Sequence, residues 1–127
     1  MTTIRLRDQY PSLADAVESV ALDQLGDAVR LVASAATDAC HVTEVCRDAL
    51  DHDRLVSSLD EAAWVAQESG DQLAYDRAFR QARAADAWVR SMQADDREAA
   101  SEAIYEAVHA LGGDSSAEKT IVRLLGA

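Results

Sequence analysis

The sequence predicts an all-helical fold, a single-domain bundle of about five or six helices with a short N-terminal arm. Apolar residues recur at helical spacing along most of the chain, and outside the arm no alternating strand pattern competes with them. The 127 residues make about one domain, and no Pro- or Ser-rich linker divides them. We therefore expect residues 1–10 to form the arm, with a short extended stretch over residues 2–6, and residues 11–127 to form one helical bundle.

The first helix is predicted to begin beside the single proline, Pro11. Ser12 and Asp15 follow it with the spacing of a capping box, in which two side chains satisfy free amides at a helix start. A helical apolar rhythm then runs from Leu13 to Leu50. Gly26 is a candidate bend or break, so this rhythm fits one bent helix as well as two or more shorter ones.

The second half of the chain carries clearer helix boundaries. From Tyr75 to Met92 the apolar residues fall within an arc of about 140° on a helical wheel, which makes this the clearest amphipathic helix. A second stripe runs from Ala100 to Leu111 and stops at a Gly-Gly pair. Capping patterns at residues 58–61, 95–98 and 115–118 predict three helix starts.

The charge of the chain is strongly negative and unevenly distributed. Acids outnumber bases 23 to 12, giving −11, and residues 8–71 hold 14 acids against three arginines. Such a field repels phosphate backbones, which disfavours nucleic-acid binding, but it speeds encounter with basic protein surfaces. The acids of the first half are therefore the first candidate for a binding face.

Targeting signals are not apparent in the sequence. No apolar signal-peptide core follows Met1, and no charge-free stretch approaches the length of a membrane span. Cys40 and Cys46 lie six residues apart, which turns them to different sides of a helix and suits a reducing compartment. We expect a cytoplasmic protein with no membrane association.

Metal and cofactor sites are not predicted. On one continuous helix His41, Glu44, Asp48 and His52 would form a polar stripe, but a stripe of this kind is more often a solvated face. Glu106 and His109 have the spacing of carboxylate-bundle ligands, yet the apolar stripe of their helix places them on its solvated side. No phosphate-binding loop or nucleophile motif is present, so the sequence favours a binding protein over an enzyme.

One short segment suggests an enzymatic alternative. Arg47 and His52 are separated by four residues, with a polar residue directly after the arginine. This segment resembles the active-site motif of HEPN ribonucleases. The resemblance implies that Arg47 would hold phosphate, that His52 would help to activate the ribose 2′-hydroxyl, and that a dimer would pool two motifs. The neighbouring carboxylates of Asp48, Asp51 and Asp53 would repel an RNA backbone.

Other side chains stand out on the predicted helices. Asp86 falls inside the apolar stripe and must therefore be paired or neutralised. Trp64 and Trp88 lie just off their apolar faces, as interface anchors and core-edge residues both do. An arginine ridge on the same helix as Asp86 would pair with the acidic first half or bind a partner's anionic groups; it comprises Arg77, Arg80, Arg83 and Arg90.

The preferred interpretation is a small acidic module that binds and modulates or inhibits a protein partner, of the immunity or phage anti-defence type. Its partner would carry a basic surface, and direct nucleic-acid binding is not expected. The alternatives are the ribonuclease built on Arg47 and His52 and a structural subunit of a homodimer or larger homo-oligomer. The residues expected to contact a partner are Asp38, Glu44, Asp48, Asp51, Asp53 and Trp64.

Overall fold

The computed structural model describes residues 2–126, with side chains from Arg5 to Gly126, and within these limits it contains helices and no strand. The all-helical prediction is confirmed, but the described chain forms eight helices instead of five or six. Among them, none combines the length and the apolar character that crossing a bilayer requires. The helices are α1 (Thr2–Gln9), α2 (Pro11–Ser19), α3 (Leu22–Ala39), α4 (Thr43–Asp48), α5 (His52–Glu68), α6 (Gln72–Ser91), α7 (Arg97–Ala110) and α8 (Ser115–Leu124).

Helix α7 lies at the centre of the bundle and contacts α1, α2, α3, α6 and α8. Its buried residues extend over more than half of its circumference and include Ala100, Ser101 and Glu106. Helix α6 packs against α3 and α7 and also carries α5, which packs chiefly on α6 and buries only Ala63 and Ala66. Earlier along α5, Leu55, Val56 and Leu59 are half-buried and also pack against the core.

The additional helices arise where sequence reasoning placed the boundaries incorrectly. The stretch expected to be extended over residues 2–6 belongs to α1, whose Leu6 is fully buried against the bundle. The long apolar rhythm breaks first at Val20 and Ala21, which are extended, and again between Ala39 and Thr43, while Gly26 lies within α3. The break allows α2 and α3 to turn separate apolar faces toward α7.

Aspartates cap the later helices. Asp51, Asp71, Asp96 and Asp114 each accept a hydrogen bond from the amide three residues on, which satisfies a free donor at the helix start. The predicted start at residues 58–61 is wrong because Asp51 begins that helix earlier, and Ser58 lies inside α5. Ser12 likewise does not cap α2: its hydroxyl donates to Glu118 of α8 at 2.7 Å.

The end of α3 is the one helix end in the described chain where a residue other than glycine takes a left-handed conformation. His41 has φ of 60°, and the amide of Val42 reaches back to the carbonyl of Thr37 at 3.0 Å. This is the Schellman arrangement, which normally has glycine at the left-handed position, as α5 does at Gly70 and α7 does at Gly112. A left-handed histidine carries strain that glycine would avoid.

Replacing His41 with glycine should therefore stabilise the protein. We expect His41→Gly to raise the free energy of unfolding by about 0.5 to 1 kcal/mol, because the relieved strain exceeds the entropy that glycine adds to the unfolded chain. Urea unfolding followed by circular dichroism would measure it, with Gly70→Ala as the reverse control that should lose stability. A loss of stability in His41→Gly would show that the side chain contributes more than its backbone costs.

Candidate protein-interaction surface

Five acids predicted to contact a partner lie close together in the sequence, around α4 and the two turns that flank it. All five side chains are exposed. We call this set the acidic corner; it consists of Asp38 at the end of α3, Glu44 and Asp48 on α4, Asp51 before α5 and Asp53 in its first turn.

Helix α4 orients the corner because one of its sides is anchored. Val42 and Cys46 are buried, and burial raises the pKa of the Cys46 thiol to about 11, so this group stays neutral at physiological pH. With these two positions facing inward, Glu44 and Asp48 face solvent. The chain then becomes extended at Ala49 and Asp51, which starts α5 in a new direction.

The negative charge of the corner is not neutralised within the described chain. Asp38 accepts a hydrogen bond from the Thr43 hydroxyl, and Asp51 accepts one from the Arg54 amide at 3.1 Å. The other three carboxylates have no hydrogen-bond or ion-pair partner among the described residues, and no arginine or lysine lies within 4.0 Å of any of the five. A cationic partner would therefore meet carboxylates that have no internal competitor.

Apolar side chains are exposed within the acidic corner. Val45 is 49% exposed on α4, and Leu50 is fully exposed, at 104%, in the turn between α4 and α5. A large aliphatic side chain in that position contributes nothing to the core of its own fold. Apolar groups surrounded by polar ones are typical of the central contacts of a protein interface.

Trp64 lies farther along α5. It is 62% exposed, whereas Trp88 on α6 is half-buried and packed against the core. Trp64 is eleven positions after Asp53, which places the two on nearly the same side of α5 and about 16 Å apart along its axis. One partner could therefore contact both the acidic corner and Trp64.

Arg47 and His52 lie on different helices and form no hydrogen bond with each other. Arg47 is exposed on α4, His52 is the first residue of α5, and the extended residues between them interrupt the helix. Neither side chain has a hydrogen-bond or ion-pair partner in the described chain, and no base is positioned against a phosphate-binding arginine. The proposed stripe from His41 to His52 is interrupted at the same turns, and no metal-binding group of three or more ligands occurs in the described residues.

The structure places Glu106 differently from the sequence-based expectation. Its side chain was expected on the solvated side of its helix, but Glu106 is only 5% exposed. Arg83 Nη1 donates to Glu106 Oε2 at 2.7 Å, and Arg83 Nη2 donates to Asp60 Oδ1 at 2.7 Å. A signal was available in the sequence: on a helical wheel Glu106 lies beside Ala99, Ala103 and Ala110, whose small side chains allow a neighbouring helix to approach on that side.

This pair belongs to a larger ion cluster between α5, α6 and α7. Asp86 lies 3.5 Å from Arg83 and 3.2 Å from Arg90, which confirms that this carboxylate is paired. The arginine ridge is therefore divided, since Arg83 and Arg90 are paired internally whereas Arg77 and Arg80 have no carboxylate within 4.0 Å in the described chain. The ion cluster comprises Asp60, Arg83, Asp86, Arg90, Glu102 and Glu106.

The carboxylate of Glu106 is held by ion pairs within the ion cluster. Burial raises the pKa of Glu106, and the adjacent Arg83 offsets this in part. Because two arginines, Arg83 and the more distant Arg5 at 3.9 Å, approach its carboxylate, Glu106 is not free to act as a base. His109 is stacked edge-on against Tyr105, and burial lowers its pKa.

Comparison with known protein families, with curated protein sequences and with solved structures finds no match to this chain. The function of the chain is therefore inferred from its own geometry.

Removing Arg83 should destabilise the protein strongly. We expect Arg83→Met to lower the free energy of unfolding by about 3 kcal/mol or more, because it leaves the Glu106 carboxylate buried without its main partner. Arg77→Gln, on the same helix and without a partner, should change it by less than about 0.5 kcal/mol. Denaturant unfolding of both variants checks this, and equal effects would contradict a structural role for the ion cluster.

The raised pKa of Glu106 also predicts a pH dependence. A carboxyl group with a higher pKa in the folded state binds its proton more readily when folded, so its contribution to stability falls as the pH rises above 4.5. The unfolding free energy of the wild type minus that of Glu106→Gln should therefore become smaller, or more negative, as the pH rises from 4 to 7. Urea unfolding at several pH values measures both free energies, and a signed difference that rises with pH would refute the prediction.

Proposed function

We propose that this chain is a small protein-binding module that docks the acidic corner on a basic surface of another protein and thereby inhibits or modulates it. The single observation that carries this proposal is the set of five exposed acids around α4, none of which is paired with a cation in the described chain. Their mutual repulsion is unfavourable for the isolated protein and would be relieved by a cationic partner.

The apolar groups of the corner add specificity to this attraction. Charge alone steers encounter and is screened by salt, whereas a stable complex also needs desolvated apolar contacts. Leu50 and Val45 supply such contacts within the acidic corner, and Trp64 supplies an aromatic anchor at one edge. The proposed partner surface therefore has lysine or arginine side chains around an apolar depression.

The mode of action follows from the size and charge of the module. A compact acidic domain that covers a basic surface excludes the polyanions that such a surface would otherwise bind. This supports an inhibitor of the immunity or anti-defence type over an enzyme. Two acidic corners would repel each other, so a homo-oligomer of this chain would have to form through a different surface.

The first experiment identifies the partner through the corner itself. A photo-crosslinking amino acid at position 50, introduced in place of Leu50, should capture one specific basic protein in an extract of cells that naturally express the chain. The same group at Gln24, which is exposed on α3 outside the acidic corner, is the matched control. The same capture from both positions, or none from position 50, would reject the acidic corner as the docking surface.

Neutralising the corner should weaken the captured complex without unfolding the module. The triple variant Glu44→Gln, Asp48→Asn, Asp53→Asn removes three charges from side chains that have no partner in the described chain, and should raise the Kd for the purified partner about tenfold or more. The control triple Asp8→Asn, Asp23→Asn, Asp95→Asn removes three exposed charges elsewhere and should change it less than about threefold. Isothermal titration calorimetry gives the Kd of both triple variants and so distinguishes a contribution of the acidic corner from a general effect of net charge.

The same preparation tests the two alternative functions. Cleavage of RNA by the purified chain that is lost in His52→Ala would favour the ribonuclease and count against the binding module. A stable dimer in light scattering, unaffected by the corner triple, would favour a structural subunit.

A further inference from the structure

A second surface feature lies on the other side of His41 from the acidic corner. A groove of about 380 Å³ runs between the end of α3 and the first half of α6. We call it the α3–α6 groove; it is lined by Ala39, Cys40, His41, Leu73, Asp76, Arg77, Arg80 and Gln81. The five residues from α6 follow helical spacing and so lie on one side of that helix.

The groove contains arginines whose charge is not used elsewhere. Arg77 has no hydrogen-bond or ion-pair partner in the described chain. Arg80 donates from Nε to the Ala110 carbonyl at 2.8 Å, which fixes its guanidinium and leaves both Nη atoms free of carboxylates. Arg80 is therefore a fixed guanidinium group with unoccupied donors, which suits it to binding an oxyanion, and Arg77 is an unpaired cation beside it.

The charge of the groove matches a single negative charge. Arg77 and Arg80 contribute two positive charges and Asp76 one negative charge, so the arginines leave an excess of one positive charge in the groove. The Asp76 carboxylate accepts a hydrogen bond from Gln72 at 3.1 Å and does not approach either arginine within 4.0 Å. This leaves the two guanidinium groups available to an external carboxylate.

Surrounding charge excludes larger anions. His41 also lines the neighbouring hollow that contains Asp38 and Glu44 of the acidic corner. A nucleic acid or another polyanion would bring further negative charge against these acids and against the net charge of −11. A monovalent anion meets the arginines at short range and experiences much less of this repulsion.

The groove also has an apolar wall. Leu73 is 80% exposed at one end, and Ala39 and Cys40 close the opposite side. The Gln81 amide donates to the Cys40 carbonyl at 3.2 Å, which holds the two walls together. The volume is at the lower end of that found for small-molecule sites, enough for a carboxylate and a short apolar group.

We propose that the α3–α6 groove binds a monocarboxylate that carries a short apolar group, with Arg77 and Arg80 on the carboxylate and Leu73 on the apolar group. The same chemistry is present in a free aliphatic acid and in the C-terminal residue of a peptide. This site is separate from the acidic corner and does not depend on the proposed function.

The test uses N-acetylleucine as the probe and its uncharged amide, N-acetylleucinamide, as the matched ligand control. In nuclear magnetic resonance titrations of the full chain, the acid should shift the Arg77 and Arg80 Nε signals and the Cys40 and His41 amide signals along one saturating curve. We expect a Kd in the millimolar range for a ligand of this size. The amide should produce no saturating shift.

Two variants test the assigned contacts. Arg77→Gln should weaken binding about tenfold, whereas Arg54→Gln, an exposed arginine on α5 without a carboxylate partner, should not change it. Leu73→Ser should weaken N-acetylleucine several-fold and leave the weaker binding of acetate unchanged. Because Arg77 has no contact in the described fold and Leu73 is mostly exposed, both variants should remain folded.

The source of the carboxylate is distinguished by comparing hexanoate with a tetrapeptide that ends in leucine. Tighter binding of the peptide would assign the groove to chain termini, and tighter or equal binding of hexanoate would assign it to free acids. The proposal is overturned if the acid and the amide shift the same signals equally, if no curve saturates, or if Arg77→Gln and Arg54→Gln bind the acid alike.

Discussion

The hydrogen bonds of the Arg83 guanidinium to Asp60 and Glu106 fix how the rest of the molecule is arranged. One side chain on α6 contacts α5 through Asp60 and α7 through Glu106, both at 2.7 Å. Helix α5 buries two alanines and packs Leu55, Val56 and Leu59 partly against the core, and the Asp60 contact adds a polar link from α5 to α6. Since α5 begins at the acidic corner and carries Trp64, this link helps to hold the helix that presents the candidate surface. A buried ion pair adds little net stability, but it specifies one packing of α5 over others.

Much of the fold could be predicted from the sequence, and the errors have identifiable causes. The amphipathic pattern of α6 and the start of α7 within residues 95–98 were visible because they depend on local spacing. The break at Val20 was not, since no glycine or proline marks it and the packing of α2 and α3 on α7 decides it. Glu106 was misplaced because a helical wheel assumes a single buried face, whereas α7 is enclosed by five neighbours.

The sequence composition indicated which acids form the candidate surface, but it did not give their arrangement in space. The concentration of acids in the first half of the chain identified Asp38, Glu44, Asp48, Asp51 and Asp53, and their exposure agrees with a role outside the core. The exposure of Leu50 and the left-handed backbone of His41 could not be predicted from the sequence, because a leucine is usually buried and a histidine rarely adopts a positive φ. His41 lies between the acidic corner and the α3–α6 groove, so surfaces of opposite charge are adjacent at one turn.

The proposed function requires the acidic corner to attract its partner through its electrostatic field. The most direct measurement is the association rate constant with the captured partner as a function of ionic strength, followed by stopped-flow fluorescence of Trp64. Steering by the corner predicts that this rate falls at least tenfold between about 20 mM and 500 mM salt, while the dissociation rate changes little. An association rate that does not depend on salt would contradict the claim.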